Sequence, residues 1–101
     1  MRQPISETEM KVFLHEQIAR IDDLTRPVWK KHRIPMQSAR SAEGGGWPLF
    51  VVARSGREIV FYDDRTQEFG TGEMDENGTL RPRTLYGEEL RFALRHFPRG
   101  E

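Results

Sequence analysis

Side chains capable of acid–base or nucleophilic chemistry are few and scattered along this chain. His15, His32 and His96 fall in three separate segments, whereas general acid–base catalysis needs an imidazole or carboxylate set in a pocket against its substrate. There is no cysteine, hence no thiolate nucleophile, disulfide or thiolate metal site. No serine stands in a Gly-x-Ser-x-Gly elbow. Sequence distance does not fix spatial distance, so a small enzyme with a convergent set of polar groups stays open as a third class. The expectation is a protein without catalytic activity.

The glycines raise a different chemistry. Gly44, Gly45 and Gly46 stand directly before the apolar run Trp47–Arg54. A phosphate cradle needs a strand, then glycines, then a helix whose first amides face the anion. Here a strand follows the glycines and no Lys-Ser or Lys-Thr pair comes after them. The reading is a slack connection that lets Trp47 enter the core. Gly70 and Gly72 form a second pair, expected to mark a bulge or a close approach by other groups. Asp75, Asn77 and Gly78 echo the start of a calcium loop, but the twelfth position is Tyr86 where a bidentate glutamate belongs. No cofactor and no metal site are expected.

Charge is the more informative signal. Sixteen basic and sixteen acidic residues cancel, but they are segregated. Arg26, Lys30, Lys31, Arg33 and Arg40 stand together without an acid between them. Glu58, Asp63, Asp64, Glu68, Glu73, Asp75 and Glu76 are interrupted only by Arg65. Separated charge of this kind steers partners and says little about fold. Two binding surfaces follow. An acidic one, with Asp63, Asp64, Glu68, Glu73 and Asp75 and with Tyr62 and Phe92 as apolar anchors, would suit a basic protein. A basic one, Trp29, Lys30, Lys31 and Arg33, pairs cations with a ring and would suit nucleic acid.

The runs FYDDRTQEFGTGEMDENGTL and YGEELRFALRHF, acidic hairpins followed by a closing helix, resemble small bacterial immunity proteins that neutralise secreted toxins. That resemblance implies a stoichiometric inhibitor with a cognate toxin. The leading expectation is therefore a noncatalytic protein-binding module docking a basic partner, as monomer or homodimer. The nucleic-acid-associated module is the alternative.

The elements that must position these residues are legible from periodicity. Ser6-Glu7-Thr8-Glu9 is a capping box. Met10, Phe13, Leu14, Ile18, Ile21 and Leu24 then trace one helical face, predicting a helix from Glu7 to Leu24. A short helix is expected from Pro27, welcome in a first turn, to His32. Trp47–Arg54 is apolar on both alternating sets, the mark of a strand covered on both faces. Strands are also expected at 57–62, 67–74 and 79–81, with turns at Ser55-Gly56, 63–66 and 75–78. Tyr86, Leu90, Ala93, Leu94 and Phe97 predict a C-terminal helix, with Phe92 off its apolar stripe.

The expected fold is α+β: an N-terminal helix and short second helix, an antiparallel meander of three to four strands, and a C-terminal helix packed on one face. The expected bounds in this single domain are helical 6–33, loop 34–46, sheet 47–81 and helix 85–97. At 101 residues one modest core is the most such a chain buries. No apolar run reaches the ~18 residues of a membrane span, and MRQPISETEM lacks the apolar segment of a signal peptide. A cytoplasmic protein without membrane contact is expected.

Overall fold

Residues 3–41 and 47–98 are described by the structure, a computed structural model. The Gly44–Gly46 connection lies outside the described residues. Helix α1 (Glu7–Ala19) begins as its capping box dictates. Ser6 Oγ accepts from the Glu9 N–H and Glu9 Oε1 accepts from the Ser6 N–H, both at 3.1 Å. The bond from the Ser6 backbone, then that from its side chain, hold the Glu9 carboxyl below the usual carboxylate range.

The helix stops earlier than the apolar spacing predicts. Ile21 is buried, but Leu24 is 92% exposed and belongs to no apolar face. The cause is Asp22: its Oδ1 accepts from the Thr25 N–H at 2.8 Å and its main-chain oxygen from the Arg26 N–H at 2.9 Å. That side-chain turn replaces the helical bonds and starts α2 (Arg26–His32), with Pro27 in its first turn.

Asp22 Oδ2 also accepts from Arg95 at 3.0 Å, tying this turn to the C-terminal segment. The Thr25 hydroxyl, then Arg95, lower the Asp22 pKa from 3.8 to about 2. A depressed carboxylate pKa stabilises the fold above the unfolded value and loses that contribution as pH falls through the folded one. The melting temperature of the native protein should therefore exceed that of Asp22→Asn at pH 5. The gap should close between about pH 4 and pH 2 in thermal melts followed by circular dichroism. A gap independent of pH would remove the Asp22 carboxylate from this role.

Five strands follow, not three or four: β1 (Arg33–Ser41), β2 (Leu49–Ser55), β3 (Glu58–Asp63), β4 (Glu68–Met74) and β5 (Thr79–Gly87). Consecutive strands pair antiparallel. β1 then meets β5 in parallel through Arg40↔Thr79 and Ser41↔Leu80, closing the sheet into a barrel. The segment expected as loop from 34 is thus a strand. Its Pro35 falls within the register shift between Arg33 and Gln37, where a missing N–H breaks no regular ladder. Pro82 likewise sits at a register shift between β4 and β5, so β5 runs on to Gly87 where a stop at Arg81 was expected.

The C-terminal helix shrinks accordingly. Residues 85–87 belong to β5, Gly87 turns the chain at φ +105°, and α3 covers Leu90–Leu94 alone. The bond between Phe97 and Pro98 is cis.

Two apolar clusters hold the fold. Leu49, Val51, Ile59, Phe61, Met74 and Leu80 fill the barrel interior. Phe50, Val52, Val60, Tyr62 and Phe69 face outward, beneath Met10, Trp29, Leu90, Leu94 and Phe97 of the helical segments. The central strands are covered on both faces, as the doubly apolar pattern of β2 predicts.

Candidate cleft between the first helix and the β3–β4 hairpin

The acidic residues singled out in the sequence do not form one surface. Asp63 and Asp64 are buried. Asp64, 1% exposed, accepts from the Ile5 N–H at 2.8 Å through Oδ2. Asp63 Oδ1 accepts from the Arg65 N–H at 2.9 Å and so builds the turn that follows β3. Buried carboxylates need such partners, and here they pin the hairpin and the N-terminal segment. Asp63 and Asp64 therefore leave the docking surface, and Tyr62, buried too, is no protruding anchor and contributes only as part of a cleft wall.

The remaining acids are divided. Glu73 and Glu58 flank Arg83 at 2.8 and 3.9 Å. Asp75 Oδ1 accepts from the Asn77 and Thr79 N–H groups, each at 2.9 Å, and shapes the β4–β5 turn. Glu68 is half-buried beside the hairpin. Phe92 is half-buried, with the guanidinium groups of Arg91 and Arg95 at 5.1 and 5.6 Å from its ring centre; cations cover the intended anchor. On the basic side Lys30, Lys31 and Arg33 are exposed, but Trp29 is buried in the core. Its ring is not offered for base stacking, so that alternative retains its cations and loses its aromatic.

What the fold brings together is a cleft of about 440 Å³. α1 supplies Phe13, Gln17 and Arg20, the β3–β4 hairpin supplies Tyr62 and Gln67, and the β5–α3 link supplies Glu88 and Glu89. Its wall is built by pairing: Tyr62 and Phe69 are cross-strand partners with ring centroids 5.0 Å apart. Phe13 packs on both, at 5.3 and 5.8 Å. Gln17 lies one helical turn after Phe13, hence on the same face. It is 4% exposed, and its Oε1 accepts from the Leu90 N–H at 3.1 Å, satisfying the first amide of α3.

Gln67 occupies the left-handed region with φ +58°, a conformation that glycine or asparagine adopts with less strain. Strained residues cluster at functional sites, and this one lines the cleft. Gln67→Gly should raise stability by about 1 kcal/mol, measured as a higher urea midpoint. A lowered midpoint would mean that the Gln67 side chain contributes more than its backbone loses.

None of Phe13, Gln17, Arg20, Gln67, Glu88 or Glu89 stood out from charge or motif. One signal was present: Gln17 is a polar residue on the apolar stripe between Leu14 and Ile18. Among the described residues no group of three or more histidine, cysteine, aspartate or glutamate side chains could hold a metal ion. No helix there is long and apolar enough to cross a membrane. Comparison with family models, curated proteins and solved structures returns no significant match, so the functional reading rests on the cleft itself.

Proposed function

We propose that the protein is a noncatalytic binding module, an immunity-like inhibitor that docks a basic protein partner. The cleft described above is the centre of its surface. The observation that carries this reading is the pairing of an aromatic wall, Phe13 and Tyr62, with carboxylates at the rim, Glu88 and Glu89. Interfaces draw their affinity from buried aromatic anchors in pockets, and complementary charge supplies encounter rate and partner choice. The β4–β5 register, with Phe69 opposite Gly87, brings the start of β4 beside the link that carries Glu88. The docking surface is thus smaller than the acidic strands as a whole, and displaced toward the end of the barrel where β3 turns into β4.

Affinity capture from the native host should recover a basic protein whose retention weakens as salt rises. Reversing Glu88 and Glu89 to lysine together should weaken that complex at least about tenfold without changing the fold. Unchanged affinity in the double variant would overturn the assignment. Reversal at Asp63 or Asp64 tests folding instead, because both carboxylates are buried in structural bonds.

A further inference from the structure

We propose that the cleft reads one particular element of its partner: a backbone carbonyl next to a lysine or arginine side chain. This rests on the protein-binding reading above and specifies what is bound. The Gln17 amide is the starting point. Its oxygen is committed to the Leu90 N–H. Its nitrogen, with two N–H donors, bonds to nothing among the described residues, and it is not sealed off as an orphaned buried atom. Gln17 is 4% exposed and lines the cleft, so we place its remaining donors at the cleft floor. The unmet chemistry of the floor is therefore donation, and what binds there must bring an acceptor oxygen.

Charge decides which oxygen. Arg20 alone would welcome a carboxylate, but Glu88 lines the same cleft and offsets its charge, which favours a neutral acceptor over an anion. Glu89 is engaged by Arg91 at 3.2 Å. Glu88 is exposed and has no ion pair among the described residues. A neutral carbonyl on Gln17 with a cation against Glu88 satisfies both ends. Half-buried Phe13 lines the same cleft, where a guanidinium or ammonium gains attraction from an aromatic ring. Gln67, fixed at φ +58°, adds a second amide to the lining, suited to the polar edge of a peptide.

The test uses isotope-labelled full-length protein and three small probes, followed by NMR at the Gln17 side-chain amide and the Leu90 backbone amide. N-acetyl-arginine methylamide should shift both signals saturably. Guanidinium chloride, which lacks the carbonyl, and N-acetyl-norleucine methylamide, which lacks the cation, should each bind about tenfold more weakly. Unmoved Gln17 signals, or controls that match the arginine probe, would overturn the proposal. So would tighter binding of acetate, which would make the cleft an anion site.

Gln17→Glu keeps an acceptor for Leu90 and removes the donor, and should abolish the probe response while the Leu90 signal stays in its folded position. If that variant fails to fold, Glu88→Gln serves instead: it should erase the preference for the arginine probe over the norleucine probe, and a preserved preference counts against the proposal. The outcomes separate the two readings. A partner complex that depends on Glu88 and Glu89 while the arginine probe leaves Gln17 unmoved keeps the binding module and removes this specificity. Probe binding together with a complex indifferent to those glutamates does the reverse.

Discussion

Replacing Gly72 with alanine is expected to destabilise the protein by about 3 kcal/mol or more, at the upper end of what overpacking a closed interior does. Gly72 lies in β4 between Ile59 of β3 and Pro82 of β5. A Cβ there would run into the main-chain oxygen of Arg81 and would come within 3.1 Å of the Pro82 Cα. Both obstacles are backbone, so no side-chain rotation relieves them. Gly70 stands in the same relation one pleat earlier, with the Thr84 main-chain oxygen at 2.5 Å. The two glycines let β5 cross close over β4 at the register shifts that bend the sheet into a barrel. A useful contrast is Gly78, which has φ +77° in the β4–β5 turn and open space around it. Gly78→Ala meets only conformational strain, about 1 kcal/mol. Urea denaturation of the two variants should show Gly72→Ala losing about three times as much folding free energy as Gly78→Ala. Equal midpoints would mean that β4 and β5 lie further apart than described.

The same glycines explain why part of the fold was legible in the sequence and part was not. The capping box at Ser6 and Glu9, the proline start of α2, and the hairpins joining β2, β3 and β4 are written in neighbouring residues. Each corresponds to short-range bonds. β1 and the second half of β5 are different. Each carries a proline that reads locally as a stop. Only the register shifts opposite Pro35 and Pro82 make those strands possible. Residues 85–87 fit a helical stripe through Tyr86 as well as they fit a strand. The main-chain bonds offered by β4, with Leu85 opposite Gly70, are what decide it.

The site was less legible still, for a related reason. Charge runs in sequence count carboxylates without their partners. Asp63, Asp64 and Asp75 bond to main-chain amides, and Glu73 and Glu58 meet Arg83 across the sheet. What remains at the cleft, Glu88 with its Arg91-paired neighbour Glu89, lies just before a helix and reads as ordinary first-turn acid. Gln17 carried a sign of its role, because a polar residue on an apolar stripe must find a partner when buried. What that partner is depends on α3 folding back onto α1, a contact between residues 73 positions apart.

Phe69→Ala should have the second large effect and should join stability to the cleft. The side chain is fully buried in the outer cluster and touches the rings of Tyr62 and Phe13. Truncating a buried phenylalanine typically removes about 3–5 kcal/mol, from lost transfer energy and the cavity left behind. Folding of a domain this size rests on about 5–15 kcal/mol in total, so the variant should be marginal at room temperature. Phe13→Ala removes a ring from the same trio, but one only half-buried, and should lose less stability. If the aromatic wall serves binding as proposed, the order reverses for the arginine probe. Phe13 lines the cleft and Phe69 supports it from behind. Phe13→Ala should then weaken probe binding more than it weakens the fold. Phe69→Leu, which refills most of the volume, should restore stability and leave probe binding close to that of the native protein. Parallel losses of stability and affinity across all three variants would mean that the trio acts only as core.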